Sequence, residues 1–185
     1  IDATTTFQKT MPLATVLFTV PGFPMLWNGQ EVGWGYGITG SKEARARSVI
    51  NWTYQGRGLL APHYQKLATL RGAFPAFTEP KRDTNNDGVV NAGDASIFMR
   101  IPTGNPLVYG FVRPYKGQNG VTVVNVSGTE QGAVLDMSTS AGLRFPDDLK
   151  PAAPVYVNDL LSGEGTLTTL GALSSVPVSM PAYGS

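Results

Sequence analysis

Oxygen-bearing side chains recur at fixed spacing in residues 83–94, whose sequence is D-T-N-N-D-G-V-V-N-A-G-D. They occupy positions 1, 3, 5, 9 and 12 of that segment, and glycine stands at position 6. A calcium-binding loop of the EF-hand kind has this spacing, because a hard cation gathers roughly 6–8 oxygen ligands around one point. The predicted calcium ligands are Asp83, Asn85, Asp87, the Val89 carbonyl, Asn91 and Asp94.

The alternative interpretation of residues 83–94 is an ordinary solvent loop, since Asn, Asp and Gly also dominate turns that bind nothing. Gly88 favours the calcium loop, because glycine permits the sharp turn that the sixth position requires. Asp94 stands where the usual residue is a bidentate Glu, so that one ligand is weaker. The number of matched positions still favours calcium over a simple turn.

The same segment resembles the calcium loop of dockerin modules, whose first segment follows the pattern D-x-N-x-D-G-x-V-N-x-x-D. Residues 95–101 then resemble the start of the helix that leaves such a loop, and Pro102 would end that helix. A dockerin has two such segments, whereas this chain has one. The resemblance therefore implies a calcium site in one short segment of the chain.

Composition excludes several classes of protein. The chain has 185 residues, of which 42% are hydrophobic and 15% are charged, with a net charge of +1. No basic patch stands out, so nucleic acid is not an expected partner. The longest apolar stretch, residues 13–20, is too short to cross a bilayer, so no membrane partner is expected either. The absence of cysteine excludes disulfide bonds and thiol chemistry.

The first third of the chain has the local order helix, strand, loop, helix. Residues 12–19 are apolar nearly all round, which predicts a buried helix, and residues 24–27 predict a short strand buried on both faces. A glycine-rich loop follows, and residues 61–71 have the apolar spacing of a helix. The loop carries Gln30, Glu31, Trp34 and Tyr36. This order is typical of an α/β barrel.

Residues 21–33, with the sequence P-G-F-P-M-L-W-N-G-Q-E-V-G, resemble a segment of the alpha-amylase superfamily of glycoside hydrolases, P-G-x-P-x-x-x-x-G-x-E-x-G. In that family the segment forms the eighth barrel strand and the loop after it. Trp52 and residues 63–71 resemble the stretch that leads into the last barrel helix. The resemblance implies that this part of the chain is the end of a barrel.

The resemblance continues into the second half of the chain. Residues 107–113 and 121–127 resemble the first strands of the family's C-terminal β-sandwich, and residues 159–163 match its D-L-L-x-G turn. Short runs that alternate apolar and polar residues between turn signals also predict an antiparallel sandwich in residues 104–185.

The predicted fold class is α+β. Residues 1–78 are the last strand and helix portion of a (β/α)8 barrel, and residues 79–103 are a dockerin-like calcium-loop insertion. Residues 104–185 are an antiparallel β-sandwich, so the C-terminal half is mostly β. A complete barrel needs about 250 residues, which the first segment does not have.

The resembling family carries its catalytic carboxylates on the fourth, fifth and seventh barrel strands, so no catalytic residue is expected in this chain. Glu31 is expected to organise the loop at the edge of the site. Trp34 and Tyr36 have two open interpretations: their rings stack on a sugar face, or they close the end of the barrel core. The only histidine, His63, is expected to be a packed helix residue.

Two hypotheses of function follow. In the first, the chain is the C-terminal portion of an alpha-amylase-like α-glucan hydrolase. In the second, it is a stand-alone, calcium-stabilised module that binds carbohydrate or another protein. The first implies that residues 13–20 and 24–27 need a missing N-terminal barrel portion or self-association to cover them. Ile1 in place of Met indicates a processed or truncated product, and a secreted, bacterial-type location is expected.

Calcium should raise the melting temperature of the chain, because a ligand that binds only the native state stabilises it, by about 2.7 kcal/mol at a hundredfold excess over Kd. Magnesium should substitute poorly, since it demands a smaller octahedral shell. Asp87→Ala should abolish the calcium effect and leave the remainder folded. Titration calorimetry that detects no calcium binding at millimolar concentration, or equal binding by Asp87→Ala, would contradict the assignment.

Overall fold

A computed structural model of the chain describes residues 3–34, 49–78, 98–115, 118–138, 143, 145–146 and 148–185. Helices precede strands along the chain. The helices are α1 (Ala3–Gln8), α2 (Met11–Thr19), α3 (Arg57–Ala73) and α4 (Pro75–Thr78), with short 3₁₀ turns at Gln30–Val32 and Leu170–Ser174. The strands are β1 (Met99–Ile101), β2 (Val108–Arg113), β3 (Gly120–Asn125), β4 (Gln131–Leu135), β5 (Pro154–Asn158), β6 (Gly165–Thr169) and β7 (Val176–Met180).

The strands pair in three antiparallel sheets within the described part of the chain. One sheet has the order β1-β2-β3, and the other two are the pairs β4-β7 and β5-β6. Val108 lies opposite Asn125 in the first sheet, and Leu135 lies opposite Val176 in the second. The predicted combination of helices with an antiparallel, strand-rich second half is confirmed.

Two hydrophobic clusters form the core. The helical cluster joins α2 to α3 through Ala14, Phe18, Leu60, Tyr64 and Leu67. The sheet cluster collects side chains from the strands and from the second 3₁₀ turn. Its buried members are Ile101, Val108, Val112, Ala133, Leu135, Met137, Leu143, Leu173 and Met180. Each fully buried Leu, Ile, Val or Met contributes about 1.5–3 kcal/mol relative to an exposed side chain.

Helix α2, predicted as a buried helix, is buried or partly buried at every position except Leu13. Pro12 suits its first turn, where a missing N–H costs nothing. Ala14 and Phe18 pack toward α3, whereas Leu13 is 64% exposed. Strand β3 and helix α1 also contact α2, so within the described chain Leu13 is the one exposed side chain of this helix.

The predicted buried strand at residues 24–27 does not form within the described chain. Residues 23–27 have no regular secondary structure, and Phe23, Met25 and Trp27 are 100%, 74% and 69% exposed. A strand requires a neighbour that accepts and donates its backbone hydrogen bonds. No described residue pairs with this segment, so its apolar side chains face outward.

Residues 99–101 do not continue a helix, contrary to the prediction for residues 95–101. Met99–Ile101 is β1, in which Met99 lies opposite Val112 and Ile101 lies opposite Gly110. A short apolar run fits either a helix or a strand, and pairing with β2 decides in favour of the strand. Ile101 is thereby buried in the sheet cluster. Residues 95–97 lie outside the described residues, and the first sheet begins inside the segment 79–103.

Two arginines bind the carboxyl end of α2. Arg71 Nη1 donates to the carbonyls of Phe18 at 2.5 Å and Val20 at 3.1 Å, and Arg71 also binds the Gly22 carbonyl. Arg113, at the end of β2, donates from Nη1 to Thr19 O at 2.9 Å. A helix leaves its last four carbonyls without partners and carries a partial negative charge there, so both cations are favourably placed.

Arg113 joins the sheets to the helices. It is 1% exposed, and its Nη1 also donates to the Phe77 carbonyl at 3.3 Å, beside α4. Burial, together with the nearby charge of Arg71, lowers the pKa of Arg113 to about 10. The guanidinium therefore remains charged at neutral pH, and the sheet cannot separate from α2 and α4 without losing both hydrogen bonds.

The turn after β5 is a second contact between the sheets and the helices. Leu161 packs against the helical cluster, and Lys66 Nζ on α3 donates to its carbonyl. Burial would raise the pKa of Asp159, but hydrogen bonds from Ser162 and Leu161 and the charge of Lys66 hold it below its usual value. The D-L-L-x-G turn thus connects β5 to β6 and also attaches this hairpin to α3.

Arg113→Met should lower the free energy of unfolding by about 2–4 kcal/mol, because hydrogen bonds from a charged donor to the Thr19 and Phe77 carbonyls are lost while the carbonyls stay buried. Arg100→Met is the matched control. Arg100 is exposed on β1 and only lies over the Tyr109 ring, 5.7 Å from its centroid, so the loss there should stay within about 1 kcal/mol. Urea unfolding measures both, and equal losses would contradict this account of Arg113.

Candidate functional site

The loop that follows the exposed segment is built on two glycines with left-handed backbone. Gly29 and Gly33 have φ values of 83° and 71° on either side of the 3₁₀ turn. The amides of Val32 and Trp34 both donate to the Gly29 carbonyl, at 3.2 and 2.9 Å. These bonds close the loop on itself. The two glycines of the motif are therefore required by backbone conformation.

Close packing is a second reason why Gly29 and Gly33 must be glycines. A Cβ at Gly33 would lie 2.6 Å from the Phe7 ring, and a Cβ at Gly29 would lie 2.9 Å from Trp34 Cβ. Gly56, before α3, faces the Val32 carbonyl, to which a Cβ would come within 2.7 Å. The loop thus rests directly on α1 and on the start of α3.

Gln30 connects the loop to α3. Its Nε2 donates to Tyr64 Oη at 2.8 Å, and its Oε1 accepts from the Trp27 amide at 3.2 Å. Burial raises the pKa of Tyr64; the hydrogen bond from Gln30 opposes the shift, and the charge of Glu31 adds to it. The phenol therefore stays protonated and accepts from Gln30. Sequence reasoning did not assign Gln30 this role, because its partner is 34 residues away.

Trp34 lies against the aromatic side chains beneath the loop. Its ring meets that of Tyr54 edge to face, with centroids 5.0 Å apart and planes at 81°. Tyr54 in turn meets Phe7 at 6.2 Å and 82°. The indole Nε1 is buried and has no hydrogen-bond partner among the described residues. This edge of Trp34 belongs to the packing of the loop, and Tyr36, its predicted companion, lies outside the described residues.

Glu31 is the single carboxylate in the described part of this loop. Its side chain is half-buried, and Oε2 is shielded from solvent with no hydrogen-bond partner in the part of the chain that the structure describes. Hydrolysis of a glycosidic bond by a retaining or inverting route requires two carboxylates on opposite sides of the bond. Residues 29–34 can therefore shape or orient a ligand, but they do not form a hydrolytic centre by themselves.

The predicted calcium ligands all lie in residues 79–97, outside the described residues. In the part of the chain that the structure describes, no three His, Asp or Glu side chains gather in a way that could hold a metal ion. The calcium site therefore stays a prediction from the sequence.

The prediction that His63 is a packed helix residue is confirmed. It lies on α3 with Nε2 3.2 Å from the Met11 carbonyl and 3.2 Å from Thr15 Oγ1. Thr15 Oγ1 also donates to Ser185 Oγ at 2.9 Å. Burial lowers the pKa of His63; the Met11 carbonyl opposes the shift, and the charge of Lys66 adds to it. His63 is neutral at pH 7, and its contacts with Met11 and Thr15 link α3 to α2.

No protein-family model and no curated protein sequence matches the chain. No helix in the described ranges combines the length and the apolar character that a membrane crossing requires.

Solved structures do match the chain. The debranching enzyme from Nostoc punctiforme superposes with a TM-score of 0.60 at 16% identity, over 95% of this chain and 30% of that one. AmyP in complex with maltose superposes with a TM-score of 0.65 at 15% identity, over 99% of this chain and 34% of that one. An AmyP variant in complex with maltotriose gives 0.61 at 14% identity, over 95% and 33%.

These structural neighbours are alpha-amylase-family glycoside hydrolases. The chain spans about a third of their length. At identities of 14–16% the likeness shows the fold: a combination of helices and antiparallel sheets that this chain shares with part of those enzymes.

Gly33→Ala should destabilise the chain by at least about 1–2 kcal/mol, because alanine resists left-handed backbone and its Cβ would strike the Phe7 ring. Gly72→Ala is the matched control. Gly72 lies within α3, nothing lies within 4 Å of a Cβ there, and alanine should stabilise the helix by about 0.5–1 kcal/mol. Thermal unfolding of both variants checks the prediction. A Gly33→Ala variant as stable as the parent would show that the loop does not depend on this glycine.

Proposed function

We propose that the chain is the C-terminal portion of an alpha-amylase-like α-glucan hydrolase. In this proposal residues 1–78 supply the last strand and helix of a (β/α)8 barrel, and residues 104–185 supply an antiparallel β-sandwich. The catalytic carboxylates come from the part of the enzyme that precedes this chain. The chain contributes the rim of the substrate site and the support beneath it.

The likeness to AmyP carries this proposal. It extends over 99% of the chain with a TM-score of 0.65 but covers only 34% of AmyP, as expected if the chain corresponds to one part of such an enzyme. The order of elements is consistent with this: helices that enclose a glycine-rich loop come first, and paired antiparallel strands follow. Residues 21–33, which resemble the family's eighth barrel strand and its loop, lie within the helical part.

The exposed segment supports the same proposal. Phe23, Met25 and Trp27 are exposed on a segment that has no neighbouring strand among the described residues. An unpaired extended segment with apolar side chains is a template for strand pairing, and large exposed apolar patches mark interfaces. In the complete enzyme this segment would be the eighth strand, paired with the preceding portion of the barrel. In the isolated chain, self-association would cover it.

The loop of residues 29–34 would then stand at the mouth of the barrel. Gln30 fixes it to Tyr64, and Glu31 holds a carboxylate in it. Trp34 uses one edge for packing against Tyr54. On the sequence motif alone, Trp34 and Tyr36 are the proposed sugar-contacting rings. An α-glucan is the proposed ligand, since AmyP has been solved in complex with maltose and its variant in complex with maltotriose.

Calcium is the proposed structural cofactor of the segment between the helices and the sheets. The donor set is made of oxygen atoms alone, which suits a hard cation. The elements on both sides of the segment are fixed in the core: Phe77 is buried at the end of α4, and Phe98 packs on Phe111 with ring centroids 4.8 Å apart. A bound cation would shorten the effective connection between these two anchors. A secreted location would supply millimolar calcium.

Purified chain should not release reducing ends from soluble starch at an enzyme-like rate, whereas the complete translation product of its gene should. General acid–base catalysis contributes about 10²–10⁴-fold and requires positioned groups that Glu31 alone does not provide. Glu31→Gln in the complete product should retain most of its activity if the residue only shapes the loop. Starch hydrolysis by the chain itself that disappears in Glu31→Gln would contradict the proposal.

A further inference from the structure

We propose that Tyr64, a buried residue of α3, is a positioning residue of the substrate site. Through Gln30 it holds the loop of residues 29–34 in the orientation in which that loop binds substrate. The two side chains are 34 residues apart in sequence and are joined by a hydrogen bond of 2.8 Å, from Gln30 Nε2 to Tyr64 Oη. The identity of the substrate, an α-glucan, rests on the proposed function, whereas the attachment of the loop to α3 does not.

The side-chain amide of Gln30 has a defined orientation. The backbone N–H of Trp27 donates to Gln30 Oε1 at 3.2 Å, and a backbone N–H can only donate. The amide oxygen therefore faces Trp27, the amide nitrogen faces Tyr64, and the phenol oxygen is the acceptor. One side chain thus joins three parts of the molecule: the end of the exposed segment 23–27, the loop and α3.

The hydroxyl group of Tyr64 is not needed for its packing. Tyr64 is 4% exposed, and its ring meets those of Phe18 and His63 edge to face, with centroids 6.0 and 6.4 Å away. A phenylalanine would keep both ring contacts. A buried hydroxyl is unfavourable unless it finds a hydrogen-bond partner, so its presence here requires another reason. The hydrogen bond to Gln30 is that reason.

The other contacts of the loop with the helices are steric. A Cβ at Gly33 would strike the Phe7 ring, and the Val32 carbonyl lies directly against Gly56. Contacts of this kind limit how closely the loop approaches the helices, but they have little directional preference. The Gln30 hydrogen bond is directional, because it weakens steeply when donor and acceptor are misaligned. Its loss would allow the loop to turn as a unit on the surface beneath it.

Glu31 depends on this attachment. Its charge contributes to raising the pKa of Tyr64, so the carboxylate lies within electrostatic range of the phenol. No described residue binds Glu31 Oε2, and the backbone of the loop therefore determines where that oxygen lies. In the proposed function the loop shapes the rim of the site. A rim that binds the substrate and the transition state equally changes KM and leaves kcat unaltered.

Steady-state kinetics of the complete translation product test the inference. Tyr64→Phe should raise KM for maltoheptaose by about three- to tenfold, the effect of one neutral hydrogen bond on a binding constant, and keep kcat within about twofold. Gln30→Met, of similar length but without the amide, should do the same, and the double variant should add little. An unchanged KM, or a loss confined to kcat, would overturn the inference.

Thr15→Val is the matched control. Thr15 lies on α2, is 4% exposed, and donates from Oγ1 to the Met11 carbonyl at 3.2 Å and to Ser185 Oγ at 2.9 Å. Valine has nearly the same shape, so this variant also removes one buried hydroxyl from the helical part. It should lower stability and leave KM unchanged. An equal rise in KM would mean that any weakening of the helices suffices, and the positioning role of Tyr64 would be wrong.

Gln30→Glu tests the hydrogen bond itself. A carboxylate can accept from the Trp27 amide and from the Tyr64 hydroxyl, which would then donate in place of accepting. Gln30→Glu should therefore keep KM closer to that of the parent than Gln30→Met does, and this advantage should disappear in the Tyr64→Phe background. A rise in KM as large as that of Gln30→Met, with Tyr64 intact, would contradict the assigned link.

Amide hydrogen exchange in the chain alone separates this inference from the proposed function. Tyr64→Phe should speed exchange of the Val32 and Trp34 amides, which both donate to the Gly29 carbonyl, and leave the Val20 amide at the end of α2 unchanged. If the complete product is inactive on starch while exchange rises, the proposed function fails and the attachment of the loop stands. If the product is active while Tyr64→Phe alters neither KM nor exchange, only the present inference fails.

Discussion

The carboxyl end of α2 is the point on which the rest of the molecule depends. A helix of nine residues presents several carbonyls there without helical partners, and two guanidinium groups from different parts of the chain satisfy them. Arg71 comes from the neighbouring helix, and Arg113 comes from the sheet. A buried guanidinium is costly unless its hydrogen bonds are made, so each arginine fixes the position of the element that carries it. The helical cluster and the sheet cluster are separate groups of buried residues, and the hydrogen bonds of Arg113 join the elements that carry them.

Much of the strand-rich half could be predicted because its signals are local. The alternation in residues 176–180 and the D-L-L-x-G turn require no knowledge of distant residues, and both lie where the pattern indicated. A helix over residues 61–71 was predicted from its apolar spacing, and the structure extends it to Arg57–Ala73 with Pro62 inside it. The predictions that failed are those in which the structure of a segment depends on residues distant in the sequence. Residues 24–27 have the composition of a buried strand, but burial depends on neighbours that the described chain does not supply. Met99–Ile101 is a strand because it pairs with β2. The local sequence does not predict that pairing.

The loop at residues 29–34 shows the same division between local and distant information. Its glycines could be identified from the motif, and their left-handed backbone explains them. The contacts that hold the loop in place could not be predicted from the motif. Gln30 donates a hydrogen bond to Tyr64 on α3, and the Trp34 ring packs against Tyr54. Arg113 is the clearest omission. A single arginine at the end of a strand is usually predicted to face solvent. The structure shows instead that Arg113 binds the Thr19 and Phe77 carbonyls.

The hydrogen bond between Thr15 and Ser185 joins residues 170 positions apart, and the one between Arg113 and Thr19 spans 94. Contacts this distant in sequence slow folding, because a long loop must close before any of them forms. The helical part is therefore synthesised well before the groups that complete it. On the ribosome, α2 would wait with its carbonyl end unsatisfied until β2 emerges, and the segment with Phe23 and Trp27 would be exposed throughout. We therefore expect this chain to rely on chaperones during synthesis more than its modest size suggests.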